Sequence, residues 1–171
     1  NLVAVVTALL ALEYSPAAIE RAMSTLRPIP GRMELVSESD APVHVVVDYA
    51  HTPAALEQAL DSLREHTPQR IWCVFGCGGE RDPGKRSEMG AIADRLADNI
   101  VLTNDNPRTE DPLQILRQIE SGIERHKAVR IPDRREAIEF AIRQADSGDL
   151  ILVAGKGHEA TQVVGSERIP F

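Results

Sequence analysis

Four short stretches hold most of the residues that could do chemistry. They are Asp48-Tyr49-Ala50-His51-Thr52-Pro53, Gly79-Glu80-Arg81-Asp82-Pro83-Gly84-Lys85-Arg86, Asp105-Asn106-Pro107-Arg108 and Gly155-Lys156-Gly157-His158-Glu159. The second comes close to the phosphate-loop pattern G-x-x-x-x-G-K-[ST] but fails at its end. Arg86 stands where a hydroxyl would reach magnesium, and Glu80 and Asp82 put negative charge near any anion. It reads better as a loop that presents Arg81, Lys85 and Arg86 to carboxylate or phosphate groups, because guanidinium grips such anions as a two-pronged fork. The third stretch combines an acid, an amide and a guanidinium. That set suits a zwitterion, with Arg108 facing a carboxylate and Asp105 facing an ammonium, although Asx-Pro also makes an ordinary turn before a helix. In the fourth, two glycines allow a ligand close to the backbone and Glu159 adds a carboxylate. A tight turn between two strands is the plainer alternative. His51 and His158 lack the paired spacing of a zinc site, so hydrogen bonding is the expected role and no metal ligand is assigned. His44 falls in a strand, and His66 and His126 near helix ends, where imidazole is unremarkable.

The elements around these stretches alternate. Residues 43–47, 71–75, 100–103 and 150–154 are short apolar runs rich in β-branched residues, as expected for strands buried on both faces of a parallel sheet. Residues 128–131 fit a short extra strand. Helical patterns occupy 53–65, 85–97, 112–125 and 133–145, the last opening on Asp133 with Glu136 three residues on, a capping-box arrangement. Ahead of them lie an apolar stretch, 2–13, and a helix opened by Ser15-Pro16 that runs to about Leu26. Pro28, Pro30 and Gly31 then break the chain. Strand–helix alternation implies right-handed βαβ units and an α/β fold: a Rossmann-like, open, mainly parallel sheet flanked by helices. Ligands bind such sheets at the carboxyl ends of the strands. The four reactive stretches each follow one of the four clearest strands, so they should converge on one edge.

Composition sets the outer limits. The 171 residues, 43% hydrophobic and 26% charged, suit one globular domain with a sizeable core. A formal charge of −7 with no long basic run argues against a nucleic-acid partner. No apolar run is long enough for a membrane helix, and the opening stretch lacks the basic flank and cleavage site of a signal peptide. The two cysteines, Cys73 and Cys77, are too few for a disulfide scaffold and read as buried thiols.

Taken together and in order, Gly31-Arg32-Met33-Glu34, residues 48–53, Phe75-Gly76-Cys77-Gly78-Gly79-Glu80-Arg81-Asp82 and Gly84-Lys85-Arg86 resemble the C-terminal third of the Mur ligases. Residues 105–108 and 155–159 narrow the likeness to members that add the third peptide residue, meso-diaminopimelate. The resemblance implies an ATP-dependent acid–amino-acid ligase of peptidoglycan precursor synthesis. Its partners would be ATP, meso-diaminopimelate and UDP-MurNAc-L-Ala-D-Glu, with Mg2+ held mainly by a central ATPase domain. It implies a monomer in a bacterial cytoplasm. By the same likeness, Asn1, Arg32, Asp48 and His51 lie on the nucleotide side, and Arg81, Asp105, Asn106, Pro107, Arg108, Gly155 and Glu159 form the amino-acid pocket. No residue is assigned as catalytic. Residues 1–30 would be the helical end of the central domain and its junction, and 31–171 the C-terminal domain, stopping short of a final helix after Phe171. Two alternatives stand beside this: a folylpolyglutamate synthase-like ligase domain, and a non-catalytic module that binds an amino acid or nucleotide. In isolation the chain is expected to be inactive, having no true phosphate loop.

Overall fold

The protein is described by a computed structural model covering residues 2–27, 29–38, 40–67 and 69–170. Asn1, Pro28 and Phe171, to which the sequence reading gave roles, lie outside the described residues. The apolar runs become β2 (His44–Asp48), β3 (Ile71–Phe75), β4 (Asn99–Leu102) and β6 (Leu150–Ala154), with the short β5 (Val129–Arg130) beside them. These five are parallel, in the order β2-β6-β3-β4-β5, and a two-residue strand β1 (Glu34–Leu35) adds antiparallel to β2 at the edge. The fold is the α/β architecture expected.

Side-chain alternation divides the core into two layers. Ile71, Cys73 and Phe75 face one way, against α3 (Pro53–His66), α4 (Gly84–Leu96) and α5 (Pro112–Glu120). Trp72 and Val74 face the other, against α6 (Arg134–Gln144). Every residue of β3 and β6 is buried, which explains why their sequences carry no polar alternation. The connections β2-α3-β3, β3-α4-β4 and β4-α5-β5 step outward over one face, and α6 returns over the other to insert β6 between β2 and β3. Helix starts are set locally. Thr52 accepts from the Ala55 amide, Asp111 from Leu113 and Asp133 from Glu136, the first two followed by proline at the first helical position. Three helices thereby begin directly after loops at the carboxyl edge.

Several elements differ from the sequence expectation, the edge strand β1 among them. Helix α5 stops at Glu120, not near residue 125. Gly122 lies so close to α4 that a Cβ there would stand 1.9 Å from the Ser87 carbonyl oxygen. The buried Asp94 carboxylate of α4 then accepts from the backbone amides of Glu124, Arg125 and His126, donors that a continuing helix would have engaged itself. This also places His126 in a loop, its Nδ1 2.9 Å from Asp94, and not at a helix end. Helix α2 (Pro16–Met23) ends three residues early, its last carbonyls capped by Ser24. Finally, β7 (Thr161–Val164) and β8 (Glu167–Pro170) form a hairpin that no periodicity had signalled. Helix α1 (Leu2–Ala11) is apolar but buries none of its residues; Val3 is 80% exposed.

Burial pushes the Asp94 carboxyl up, but hydrogen bonds from Arg125, Glu124 and His126 outweigh it and hold the group below the ordinary range. A carboxyl lowered on folding stabilises above its unfolded value, about 3.9, and loses that contribution as pH falls through the folded value. Asp94→Asn should therefore cost about 1.5–3 kcal/mol at neutral pH. Urea denaturation at pH 7 and pH 3 should show the gap between wild type and variant shrinking in acid. A gap independent of pH would mean that the carboxylate charge contributes nothing.

Candidate functional site

The four reactive stretches meet at the carboxyl edge around a cavity of about 490 Å³. His51, Arg81, Asp105, Asn106, Arg108, Gly155 and Glu159, seven of the residues marked from sequence, line it. Pro107 is buried behind them: its carbonyl packs so closely on Gly79 that a Cβ there would stand 2.0 Å away. Arg32 and Asp48 lie to one side. Asp48 borders a second, smaller cavity of about 290 Å³ with Met33 and Gln58.

Glu159 accepts three side-chain hydrogen bonds in the main cavity. Its Oε2 accepts from Lys156 Nζ at 2.8 Å and Asn106 Nδ2 at 3.2 Å, and its Oε1 accepts from the Tyr49 hydroxyl at 3.2 Å. Burial pushes the Glu159 carboxyl up, yet Lys156 and Asn106 hold it below its ordinary value. Burial and the Glu159 charge together raise the Tyr49 phenol. Lys156 is itself 2% exposed and also donates to Asn106 Oδ1 at 3.0 Å, so one buried ammonium fixes both the amide and the carboxylate. Gly155, at φ +110°, brings its backbone against the acid: a Cβ there would stand 2.8 Å from Asp105 Oδ2.

Arg108 is held from two sides. The residue sits at φ +53°, an unusual conformation for a long side chain, and β7 stabilises it by backbone pairing. Its amide donates to the Val163 carbonyl, and its carbonyl accepts from the Gly165 amide. Nη1 donates to the Gly79 carbonyl at 2.7 Å and the Asn106 carbonyl at 3.3 Å, while among the described residues Nη2 and Nε make no hydrogen bond. Asp105 is 8% exposed on the same rim. Arg81, by contrast, is exposed, and among the described residues it bonds only the neighbouring Glu80 carbonyl.

On the other side, Arg32 lies over the Tyr49 ring at 4.2 Å, and Tyr49 meets His51 edge-on at 4.6 Å. His51 Nδ1 bonds the Tyr49 carbonyl, so Nε2 is the ring's remaining hydrogen-bonding atom. Asp48 accepts from the amides of Met33 and Ala50, which ties the Arg32 turn to the end of β2. Lys85 donates to the His51 carbonyl at 2.8 Å.

Arg86 requires a correction. The sequence suggested a cation offered to a ligand, but Arg86 is 1% exposed and faces inward. Its Nη1 and Nη2 fork onto Glu110, its Nη1 also reaches Gln118, and Nη2 reaches the Gly78 carbonyl. It therefore braces the loop after β3 against the loop after β4, which explains why arginine and not a hydroxyl follows Lys85. Lys156 and Tyr49 were missed as site residues, although each stood in a marked stretch; a lysine between two glycines after a strand was the available signal. Gln162, whose side-chain amide donates to the carbonyls of Asn104 and Asp105, had none.

Comparison with known proteins bears on this geometry. The family model described as Mur ligase, glutamate ligase domain, matches residues 31–157, about three quarters of the chain and all four site loops except its last two residues. The chain belongs to the Mur ligase family. It is 50% identical, over its full length, to the UDP-N-acetylmuramoyl-L-alanyl-D-glutamate–2,6-diaminopimelate ligase of Coxiella burnetii, and covers 35% of that protein. A solved structure of a ligase of the same name superposes with a TM-score of 0.77 at 44% identity, covering 96% of this chain and 34% of that one. E. coli FolC in complex with ADP is more distant, with a TM-score of 0.65 at 26% identity over 89% of this chain and 36% of that one. This Mur ligase chain thus spans about a third of the length of the relatives it matches. Among its described residues, no helix is long and apolar enough to cross a membrane, and no group of three His, Cys, Asp or Glu side chains could hold a metal ion.

The Arg86 brace gives a direct contrast with Arg81. Removing one partner of a buried ion pair costs about 3–5 kcal/mol, whereas an exposed substitution stays within about 0.5 kcal/mol. Guanidinium denaturation should therefore show a large loss for Arg86→Ala and almost none for Arg81→Ala. Equal, small losses would return Arg86 to the ligand-binding face.

Proposed function

We propose that this chain is the C-terminal part of an ATP-dependent ligase that joins meso-diaminopimelate to the D-glutamyl carboxylate of UDP-MurNAc-L-Ala-D-Glu. The observation that carries the reading is the composition of the pocket rim: Arg108 and Arg81 beside Asp105 and Glu159, in a chain half identical to ligases named for 2,6-diaminopimelate. Diaminopimelate has an amino-acid centre at each end. Its far end needs a cation for the carboxylate and an acid for the ammonium, and Arg108 with Asp105 and Glu159 meets both needs. The lower identity to FolC favours this over a folylpolyglutamate synthase-like role.

In this reading ATP converts the D-glutamyl carboxylate to an acyl phosphate, whose carbonyl the amine of diaminopimelate attacks, with phosphate leaving. The residues of this chain contribute orientation. Arg108 and Arg81 hold the distal carboxylate, and Asp105 and Glu159 hold the distal ammonium. The near amine is then presented toward the acyl donor with little freedom left to lose. Arg32 and His51 form the nucleotide side, with Asp48 bracing the Arg32 turn. Asn1, outside the described residues, belongs to the same side by resemblance, and Pro107 backs the amino-acid pocket. Among the described residues no cluster of His, Cys, Asp or Glu side chains could hold Mg2+, which by resemblance would be held mainly by the central ATPase domain. Residues 1–30 read as the helical end of a neighbouring domain. Two observations support this: α1 is apolar yet unburied, and the family match begins at residue 31. A monomeric cytoplasmic enzyme is the accompanying expectation.

Substrate kinetics of the full-length ligase test the assignment. Arg108→Lys keeps the charge but loses the planar fork, so KM for diaminopimelate should rise about 10–100-fold while KM for ATP stays nearly constant. Lysine, with no distal carboxylate, should be a poor substrate for the wild type and discriminate little between the two forms. Equal damage to diaminopimelate and ATP use would make Arg108 structural.

A further inference from the structure

Beneath the pocket lies a cation that no ligand can reach. Arg134 opens α6 on the far face of the sheet and is 2% exposed. Its Nη2 donates to the Ala154 carbonyl at 2.7 Å and its Nη1 to the Asn104 carbonyl at 3.3 Å. Ala154 immediately precedes Gly155, and Asn104 immediately precedes Asp105, so the two acceptors are the roots of the two loops that carry Glu159 and Arg108. Nε makes no hydrogen bond among the described residues, which leaves the guanidinium fastened at its two outer nitrogens alone. The side chain thus acts as a strut between β4 and β6, which are not neighbours in the sheet because β3 lies between them.

Such an arrangement is expensive. A buried guanidinium whose acceptors are neutral carbonyls forfeits most of its hydration, and an apolar side chain would pack between sheet and helix without that penalty. Burial lowers the Arg134 pKa, and the charges of Asp105 and Glu159 offset part of that effect. The acids that influence it are therefore the two placed on the ammonium side of the pocket. Among the described residues no carboxylate pairs with it directly, so pairing does not account for its presence.

We infer that Arg134 is a positioning residue that sets the separation and orientation of the 105–108 and 155–159 loops, and hence the fit of the amino-acid substrate. The inference rests on the ligase reading given above. Gln162 supports the same anchor from the opposite side, its Nε2 donating to the Asn104 carbonyl at 3.1 Å and the Asp105 carbonyl at 2.9 Å. The nucleotide side receives no contact from Arg134 or Gln162, so disturbing the strut should alter one substrate and spare the other.

The experiment compares wild type, Arg134→Lys and Gln162→Leu in the full-length ligase, measuring kcat and KM separately for diaminopimelate, ATP and the nucleotide precursor. Lysine at 134 keeps the charge but loses the planar fork whose two outer nitrogens span the two carbonyls. KM for diaminopimelate should rise about 10-fold or more, as expected for the loss of a charge-assisted hydrogen bond, with KM for ATP unchanged. A merely structural role would lower kcat through loss of folded enzyme and leave the diaminopimelate KM where it was, and that result overturns the inference. Should Arg134→Lys fail to fold, Gln162→Leu decides, because the residue is only half-buried and anchors the same carbonyl; an unchanged diaminopimelate KM there overturns the inference equally. The wild type separates the two levels of argument. If it uses no diaminopimelate, the ligase reading fails; if it does and neither variant shifts its KM, only the role of Arg134 fails.

Discussion

Pairing of β6 between β2 and β3 is the constraint on which the rest of the structure depends. Without that strand, β3, β4 and β5 would lie outward in order, with residues 48–53 separated from the loops after β3 and β4 by a gap one strand wide. The last strand fills it, matching His44 to Leu150 and Ile71 to the same residue, in parallel on both sides. Its insertion buries Ile151 and Leu152 completely on opposite faces and brings Gly155 and Glu159 into the middle of the carboxyl edge. Without β6 there would be three reactive loops on two separate platforms. The return crossover through α6 explains why this strand arrives last and why one helix covers the face that three others leave open.

Charge in the pocket follows the same geometry. Cations sit at two levels. Arg108 and Arg81 occupy the rim, where a ligand can meet them, while Arg86, Lys156 and Arg134 lie below it, 1%, 2% and 2% exposed. The buried three have different tasks: Arg86 grips Glu110, Lys156 grips Glu159 and Asn106, and Arg134 grips backbone carbonyls. In low-dielectric surroundings each is costly unless its partners are fixed, so each converts a flexible loop into one with a definite shape. A small polar pocket on such a base has a fixed shape, because its own groups are not free to rearrange.

The hairpin β7–β8 extends this principle to the 105–108 loop. Arg108 adopts a positive φ that its side chain does not favour, and backbone bonds to Val163 and Gly165, with a bridge to Val164, hold it there. Asn106 links the hairpin to the pocket through the Val163 amide. The loop that reads as a simple Asx-Pro turn is therefore clamped between a strand behind it and a hairpin beside it.

Much of the architecture was legible in the residues themselves, because strands buried on both faces must be short apolar runs and helices open at signals such as Ser15-Pro16 and Asp133 with Glu136. Parallel α/β topology then places every loop after a strand on one edge, so residues 48–53, 105–108 and 155–159 could be grouped before any coordinates were known. Local pattern could not say which charged side chain faces out and which faces in. Arg81 and Arg86 are five residues apart in one polar stretch of sequence, and only the packing of α4 against α5 turns one outward and buries the other. The early end of α5 has the same origin, since Gly122 and Asp94 act across an interhelical contact that has no trace in periodicity. The roles of Lys156, Gln162 and Arg134 were likewise decided by tertiary structure, because each depends on at least one partner between 20 and 58 residues away that the chain brings near only when the sheet closes.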